Sequence, residues 1–326
     1  MTPRYPAISL AALLVPALLL ASLMLGDQHV DIAALLKGEA TAEARIIVLD
    51  LRLPRALMAL LAGMALGIAG TIAQAVMRNP LAEPGILGIN AGAAFAGSIV
   101  IVGFTGLSVT VLPWAGFAGA TMMAAAVFLL SWRKGTSSAR IVLIGIGLGA
   151  FASAGTSVMI AFANISDVQR LMIWLAGSIY DANWDKIRLL LAWLIVPIAL
   201  VCLFYRQIDL IRFGDDVAAS LGQRVNLVRA GMILLCTAIS GATVTVAGLI
   251  GFVGLIAPHL ARRMVGPGHA LLIPASALVG GLLLMAADLV GRTIIAPVQL
   301  PAGIVTALIG APFLAYLLWG RRHVPA

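Results

Sequence analysis

The chain contains about ten apolar stretches of nearly membrane-spanning length, and its charged residues lie almost entirely between them. The first stretch, residues 8–26, runs nineteen positions without a charge. A bilayer hydrocarbon core of about 30 Å needs roughly 20 apolar residues in a helix, and a helix closes its own backbone hydrogen bonds in lipid. The sequence therefore predicts an all-α, polytopic membrane protein with a single transmembrane domain over residues 1–326.

Ten spans are predicted, and the third and eighth are short for a full crossing. We expect these two to be tilted, packed inside the bundle or continued by non-helical backbone. Gly248 and Gly251 leave room for only a tight reversal between the seventh and eighth spans. The spans lie near residues 8–26, 53–76, 91–105, 113–132, 140–163, 188–204, 229–249, 252–264, 271–294 and 303–320.

The composition excludes most soluble function classes. Hydrophobic residues make up 62% of the chain and charged residues only 10%, against about 25% charged in soluble domains. The formal net charge of +8 does not indicate nucleic-acid binding, because the bases mark the ends of apolar runs. Cys202 and Cys236 lie inside apolar runs, so we interpret them as small hydrophobic residues rather than a disulfide or metal pair.

The distribution of Lys and Arg predicts the orientation of the chain. With ten spans and the N-terminus inside, the inner loops carry an excess of bases over acids, whereas the outer loops are close to neutral. Both termini are therefore predicted to face the cytoplasm. The predicted inner bases are Arg4, Arg78, Arg133, Lys134, Arg140, Arg206, Arg212, Arg224, Arg229, Arg262, Arg263, Arg321 and Arg322.

Catalytic and nucleotide-binding motifs are missing from the sequence. None of the three lysines, Lys37, Lys134 and Lys186, follows a glycine, so the P-loop pattern G-x-x-x-x-G-K-[ST] does not occur. H-E-x-x-H and G-x-S-x-G are also missing, and the four histidines lack the spaced partners of a metal site. We expect a non-catalytic chain without a cofactor or metal of its own.

One ionisable residue, Asp288, lies deep in a predicted span. An ion-coupled transporter usually carries ionisable groups within its spans. Arg292 follows four residues later on the same helical face, so an i,i+4 ion pair accounts for Asp288 without a transport role. This favours an external energy source. A stand-alone, ion-coupled secondary transporter stays the alternative from a different class.

Two patterns of small residues predict close helix packing. Gly63-Met-Ala-Leu-Gly67 lies in the second predicted span and Gly145-Ile-Gly-Leu-Gly149 in the fifth. Small residues at this spacing let helix backbones approach closely. We interpret both patterns as packing within one subunit rather than as a subunit interface.

The largest predicted inner loop, about 206–228, lies between the sixth and seventh spans. Within it, Asp215-Asp216-Val-Ala-Ala-Ser-Leu-Gly222 follows Gly214 and reads as a short helix, with acids at its start and glycine at its end. Val217 and Leu221, four residues apart, give it a narrow apolar edge. The pattern fits a plain surface loop and a docking element for a soluble partner equally well.

Five motifs stand in a fixed order along residues 10–320. They are Leu51-Arg-Leu-Pro-Arg55, Arg78-Asn-Pro-Leu-Ala-Glu-Pro-Gly-Ile-Leu-Gly88, Phe213-Gly-Asp-Asp-Val-Ala-Ala-Ser-Leu-Gly222, Gly251-Phe-Val-Gly-Leu-Ile-Ala-Pro-His-Leu-Ala-Arg262 and Leu300-Pro-Ala-Gly-Ile-Val-Thr-Ala-Leu-Ile-Gly-Ala-Pro312. Together they resemble the permease subunit of ABC importers for ferric siderophores, haem and vitamin B12.

The resemblance implies a ten-helix, type II ABC importer permease-like bundle. Such a permease pairs with a second permease, as a homodimer or with a paralogue, around a translocation path in the bacterial inner membrane. Two cytoplasmic ATPase subunits, which bind ATP and Mg, are implied below it. A periplasmic or lipid-anchored substrate-binding protein is implied above it.

The resemblance also implies two sets of docking residues. On the outer side, the family's arginines for the binding protein match Arg52, Arg55 and Arg292, which would grip glutamates as bidentate forks. On the inner side, the residues that couple the permease to the ATPase match Gly214, Asp215, Asp216, Ala219, Ser220, Leu221, Gly222 and Gln223.

The substrate branch is indicated by the outer segment 165–184. Its stretch Trp174-Leu-Ala-Gly-Ser-Ile-Tyr180 resembles the ferric-siderophore branch more than the vitamin B12 branch. An iron–siderophore complex is therefore the predicted substrate, with haem second and cobalamin third.

Overall fold

The computed structural model describes residues 5–26, 34, 37–104, 111–132 and 135–320, and within these ranges the regular structure is entirely helical. The all-α prediction is confirmed for this part of the chain. Five residues named in the sequence analysis fall outside the described ranges: Arg4, Arg133, Lys134, Arg321 and Arg322.

The helices are numbered in chain order. The segment Ile46–Arg52 is π-helical and joins α2 to α3, and a 3₁₀ turn, Pro84–Leu87, precedes α4. The helices are α1 (Tyr5–Met24), α2 (Ala42–Arg45), α3 (Leu53–Val76), α4 (Ile89–Gly103), α5 (Val111–Ser131), α6 (Ser138–Phe162), α7 (Ile165–Leu175), α8 (Trp184–Leu203), α9 (Tyr205–Ile211), α10 (Asp215–Ser220), α11 (Val225–Ala247), α12 (Val253–Val265), α13 (His269–Thr293) and α14 (Ala302–Gly320).

The helices agree with the predicted spans. Among the described residues, seven helical runs are long and apolar enough to cross a membrane, and α1 and α4 add shorter apolar stretches. Each of the ten predicted spans coincides with a helix to within a few residues. The short third and eighth spans are α4, with 15 residues, and α12, with 13, as predicted. The second span is longer than predicted, because Ala42–Val76 forms one helical run of 35 residues.

The bundle is built around α3. The most apolar part of α3 is 78% buried, against 22% in α6 and in α8. α3 packs against α13, α11 and α12. The exposed apolar faces of α6 and α8 are therefore the surfaces that this chain offers to lipid or to another chain.

Small residues bring α3 and α13 into backbone contact. Gly63 lies against Gly280, and Gly67 lies against Ser276, so closely that a Cβ on either glycine of α3 would overlap a carbonyl oxygen of α13. The two helices run antiparallel. A step of four residues forward on α3, from Gly63 to Gly67, matches a step of four residues back on α13, from Gly280 to Ser276. The prediction that Gly63 and Gly67 pack helices within one subunit is confirmed.

The second small-residue pattern is used for close packing at the first of its three glycines. A Cβ at Gly145 of α6 would overlap the carbonyl oxygen of Ile86 in the 3₁₀ turn. A Cβ at Gly149 would make only an ordinary contact with Ala91, at 3.9 Å. Packing within the subunit is therefore confirmed at Gly145.

A tight reversal joins α11 to α12, as predicted. Gly248 has a φ of 68° and Phe252 a φ of 67°, so both are left-handed. The strain of a left-handed aromatic residue is offset by a hydrogen bond, because the Phe252 N–H at the start of α12 donates to the Glu83 carboxylate at 3.1 Å. α12 therefore begins at a point fixed by the loop between α3 and α4.

Both cysteines occupy helices, as predicted, and neither forms a disulfide. Cys236 is buried in α11 and donates its S–H to the Ala69 carbonyl of α3 at 3.3 Å. Cys202 is exposed on α8.

Gly63→Ala should lower the thermal stability of the purified protein, because the added methyl group must push α13 away from α3. Overpacking costs about 1–3 kcal/mol, which outweighs the gain of up to about 1 kcal/mol from the helix propensity of alanine. Gly147→Ala is the matched control, since a Cβ there meets nothing within 4 Å. Its melting temperature should equal or exceed that of the wild type. Equal melting temperatures for the two variants in one detergent would show that the α3–α13 contact yields without cost.

Candidate functional site

A buried ion pair joins the start of α3 to the end of α13. The Arg55 Nε lies 3.0 and 3.1 Å from the two carboxylate oxygens of Asp288, and its Nη2 lies 2.9 Å from Oδ1. The Arg55 Nη1 donates to the Gln299 side-chain oxygen at 2.6 Å. The side chains of Arg55 and Asp288 are 11% and 2% exposed. The backbone contact between Gly63 and Gly280 brings Arg55 and Asp288 together. Arg55 precedes Gly63 by eight residues, and Asp288 follows Gly280 by eight on the antiparallel helix.

The main partner of Asp288 differs from the predicted one. The predicted i,i+4 contact exists, but the Arg292 Nε lies 3.8 Å from the nearer carboxylate oxygen. Arg55, 233 positions away in the sequence, makes the hydrogen-bonded contact instead. Helical spacing reveals neighbours on one helix, whereas the register of α3 against α13 decides this pair.

Arg52 and Arg292 hold the end of α1. The Arg52 Nη1 donates to the carbonyl oxygens of Leu23 at 2.8 Å and Met24 at 3.1 Å. The Arg292 Nη2 donates to the carbonyl oxygen of Ser22 at 2.6 Å and to its hydroxyl at 2.9 Å. Carbonyls in the last turn of a helix lack an amide partner and carry the negative end of its dipole. Arg52 is 7% exposed and Arg292 is 5% exposed, so both also have a role in the fold.

The three arginines line one cavity of about 590 Å³ at this end of the bundle. The Arg55 guanidinium lies over the Tyr180 ring, 5.7 Å from its centroid, within range of a cation–π interaction. Asp50 and Asp181, both exposed, also line the cavity. The loop that follows α13 carries three exposed apolar side chains: Ile294, Ile295 and Val298.

The short helix predicted in the largest inner loop is present as α10. Gly214, which precedes it, has a φ of 106°, a conformation that glycine adopts without the strain of a side chain. At the other end, the Gly222 N–H donates to the Ala219 carbonyl and the Gln223 N–H to the Ala218 carbonyl. Gly222 has a φ of 82°, so α10 ends in a Schellman motif. The predicted glycines at both ends are confirmed.

One face of α10 is exposed and apolar. Phe213, Val217 and Leu221 follow one another at intervals of four and are 68%, 46% and 62% exposed. Besides Leu221, the exposed residues of the implied coupling set are Asp216, Ala219, Ser220 and Gly222. A contiguous exposed apolar row on a short helix is typical of an interaction surface.

Both ends of α10 are fixed to neighbouring helices. At the start, the Asp215 carboxylate accepts from Arg229 of α11 at 2.8 Å, and Arg78 lies 3.7 Å from the same oxygen. At the end, the Gln223 side chain donates to the carbonyl and side-chain oxygens of Gln207 in α9, at 2.8 and 2.7 Å. α10 is therefore a fixed element of the surface rather than a loose loop.

Sequence analysis missed the roles of two charged residues. Arg229 is fully buried, although its position near a span end marked it as a topology signal. Burial raises the pKa of the Glu83 carboxyl, against the lowering effect of the hydrogen bond from Phe252. Glu83 lines a second cavity of about 490 Å³ with Asn90 and with Ser153 of α6. The motif Arg78–Gly88 contains Glu83, so that signal was already present in the sequence.

In the described part of the chain, no group of three or more His, Cys, Asp or Glu residues could hold a metal ion. Asp288 at one site and Asp215 at the other are both paired with arginines.

Comparisons with known proteins agree on one family. A family model described as the FecCD transport family matches residues 13–320. The chain is 43% identical over 273 residues to the Fe(3+)-citrate import system permease protein YfmE of Bacillus subtilis, covering 83% of this chain and 81% of that protein. It is 41% identical over 321 residues to the achromobactin transport system permease protein CbrC of Dickeya dadantii, covering 97% and 92%.

A solved structure shows the same fold. It is described as an inward-facing conformation of a metal-chelate type ABC transporter. The TM-score is 0.85 and the identity 29%, over 97% of this chain and 100% of that chain.

Asp288→Ala should destabilise the protein far more than Asp185→Ala. The first change leaves the Arg55 guanidinium buried without its carboxylate, which costs about 3–5 kcal/mol. The second breaks the pair between Asp185 and Arg188, whose side chains are 89% and 76% exposed, and exposed pairs contribute about 0–1 kcal/mol. Thermal unfolding in nanodiscs measures both. Equal shifts in melting temperature would contradict a structural role for the Arg55–Asp288 pair.

Proposed function

We propose that this chain, which belongs to the FecCD transport family, is the membrane-spanning subunit of an ATP-driven importer for an iron–siderophore complex. It forms part of the translocation path and hydrolyses no ATP itself. The observation that carries the proposal is α10, a short helix fixed at both ends whose outward face is an exposed apolar row. A soluble ATPase on that face would be linked directly to the spans.

The geometry of α10 suits the transmission of force. Phe213, Val217 and Leu221 would be buried in a cleft of the ATPase, and full burial of one such side chain contributes about 1.5–3 kcal/mol. Because Asp215 and Gln223 tie α10 to α11 and α9, displacement of α10 would displace those helices as well. ATP-driven closure of the ATPase subunits would in this way change the shape of the path.

The opposite end of the bundle suits a substrate-binding protein. We propose that glutamates of that protein enter the cavity lined by Arg52, Arg55 and Arg292. A guanidinium presents five N–H donors, so one arginine has the capacity to hold an intramolecular acceptor and a carboxylate of a partner together. The exposed side chains of Ile294, Ile295 and Val298 would add apolar contact beside the charged cavity.

The remaining partners follow from the same assignment. A second permease, identical or a paralogue, would pack against exposed apolar helix faces such as those of α6 and α8. ATP and Mg would be bound by two cytoplasmic ATPase subunits. We place the chain in the bacterial inner membrane with both termini in the cytoplasm, as the excess of inner bases indicates.

The substrate class is supported by two observations. The relatives YfmE and CbrC are named for the import of iron citrate and of achromobactin, respectively. The segment Trp174–Tyr180 resembles the ferric-siderophore branch. An iron chelate therefore ranks before haem and cobalamin.

Val217→Glu combined with Leu221→Glu should abolish capture of the ATPase subunits, because two carboxylates would stand in the apolar row of α10. The chain should still fold, since both side chains are exposed. Val298→Glu is the matched control for ATPase capture alone, because it places a carboxylate at an exposed apolar position at the opposite end of the bundle. The measurements are co-purification of the ATPase subunits and cellular uptake of iron-55 from ferric citrate and ferric achromobactin.

Normal ATPase capture and normal uptake in the α10 variant would contradict the role of α10 in coupling to the ATPase. A second outcome concerns the source of energy. Uptake that collapses with a protonophore while ATP is held constant would favour an ion-coupled secondary transporter.

Arg55→Gln should weaken binding of the substrate-binding protein. Loss of a buried, hydrogen-bonded interfacial charge costs about 2–5 kcal/mol, whereas an exposed pair is worth about 0–1 kcal/mol. Arg188→Gln is therefore the control, since Arg188 is 76% exposed. The difference between the two variants should shrink as salt rises, because ions screen the charges.

A double variant separates docking from folding. Arg55→Gln with Asp288→Asn removes both charges of this pair together, so neither is left buried without the other. Affinity for the binding protein, measured in nanodiscs over a salt series, should fall as far in the double variant as in Arg55→Gln. Wild-type affinity in the double variant would show that Arg55 acts on the fold and not on docking.

A further inference from the structure

Arg229 is a fully buried charge near the inner end of α11. Its side chain has 0% exposure, and it is one of the largest side chains of the described residues to be so enclosed. An unpaired buried guanidinium would cost several kcal/mol, so its partners must be present in the fold. Those partners lie on two different elements, one of which is α10.

Each terminal nitrogen of Arg229 binds a different element. The Nη2 donates to the carboxylate of Asp215, the first residue of α10, at 2.8 Å. The Nη1 donates to the carbonyl oxygen of Thr136 at 2.7 Å and to its hydroxyl at 3.0 Å. Thr136 lies in the connection from α5 to α6, two residues before α6 begins. The Arg229 guanidinium thus bridges α10 and the connection that precedes α6.

The backbone and side-chain polar groups of Thr136 all bind residues of α11. Asn226 of α11 accepts from the Thr136 N–H at 3.1 Å and from its hydroxyl at 3.2 Å. The side chain of Ser137 caps α6 by accepting from the Arg140 N–H at 3.3 Å. The Ser138 hydroxyl donates to the Val76 carbonyl at the end of α3. A displacement of Thr136 would therefore displace the first turn of α6 as well.

α6 forms one wall of the cavity that Glu83 lines. Gly145, Ile146, Gly149 and Ser153 of α6 all border this space of about 490 Å³. The first turn of α6 and this wall belong to one helix of 25 residues, so a movement of the first turn tilts the wall. The path from α10 to the cavity thus passes through Arg229, Thr136 and α6.

We propose that Arg229 is the positioning residue that transmits displacement of α10 to the α5–α6 connection and so to the cavity wall on α6. The inference rests on the proposed function, since it presupposes that an ATPase moves α10. The inference identifies the residue that transmits the displacement of α10. A charge-assisted pair on one side and two hydrogen bonds on the other hold the three elements in one unit.

Arg140 provides a matched control within the same connection. Its Nη1 donates to the carbonyl oxygens of Ser131 at 2.9 Å and Gly135 at 3.2 Å. It therefore stabilises the same connection as Arg229, and neither of these bonds reaches α10. Arg140→Gln should affect the connection without cutting the link to the coupling helix.

The test uses the full transporter in proteoliposomes with its ATPase subunits and binding protein. Three quantities are measured: capture of the ATPase, stimulation of ATP hydrolysis by the binding protein, and melting temperature. Arg229→Gln should capture the ATPase as wild type does, yet lose about 5- to 150-fold of the stimulation, the range of an allosteric coupling. Arg140→Gln should keep the wild-type stimulation.

A second pair of variants keeps the test decisive if Arg229→Gln fails to fold. Asp215→Asn removes the negative charge of the same ion pair at its partly exposed member. The double variant Arg229→Met with Asp215→Asn removes both charges of the pair, so neither is left without the other. Because both changes break one link, the loss of stimulation in the double variant should equal that of Asp215→Asn alone.

The outcomes separate this inference from the proposed function. Normal stimulation in Asp215→Asn, or losses that add in the double variant, would overturn the role of Arg229 and leave the importer assignment intact. Loss of stimulation in Arg140→Gln equal to that in Arg229→Gln would also overturn it, because the connection would then matter without α10. Failure of the wild-type chain to capture any ATPase would overturn the proposed function and the role of Arg229 together.

Discussion

The antiparallel backbone contact between α3 and α13 sets the positions of residues at the cavity lined by Arg52, Arg55 and Arg292. Gly63 meets Gly280 and Gly67 meets Ser276, with no side chain between the backbones. Eight residues from the first contact, about 12 Å along both helices, Arg55 reaches Asp288. A bulkier residue at the contact would separate the helices and leave two buried charges apart. The small residues thus act on the electrostatics of the bundle as well as on its packing.

Buried charges at opposite ends of the bundle are held in related ways. At one end, Arg55 binds Asp288 and Gln299, while Arg52 and Arg292 bind carbonyls in the last turn of α1. At the other, Arg229 binds Asp215 and the Thr136 carbonyl. In each case a planar guanidinium with several donors joins two elements, which a point-like ammonium does less well. Residues that dock partners in our proposal are therefore also residues that hold helices together.

Under the proposed function, this double use would let contacts with soluble partners act on the packing of the membrane chain. A partner carboxylate in the cavity lined by Arg55 would compete with contacts that fix α1, α3 and α13. An ATPase on the exposed row of α10 would push on a helix that Asp215 and Gln223 tie to α11 and α9. Contacts at either end would thus act on the packing of the spans, which is what an importer that alternates its access requires.

The sequence by itself determined the elements of this protein. Hydropathy predicted the ten helices, the shortness of α4 and α12, and the reversal at Gly248, because the need to close backbone hydrogen bonds in lipid is local to each segment. Glycines on either side of Asp215–Ser220 predicted α10 for a similarly local reason. The helical segment before Leu53 was not predicted. Hydropathy detects the length of an apolar stretch rather than helical structure, and this segment carries charges.

Only the tertiary structure decided which charges meet. Spacing along α13 predicted Arg292 as the partner of Asp288, whereas the register against α3 supplied Arg55 from 233 positions away. The pattern marked Arg229 as a base at a span end, but its burial between α10 and Thr136 depends on three elements packing together. Periodicity reports the neighbours of a residue on its own helix. The charged contacts at each end of this bundle are made between different segments, where only the packed fold specifies distance.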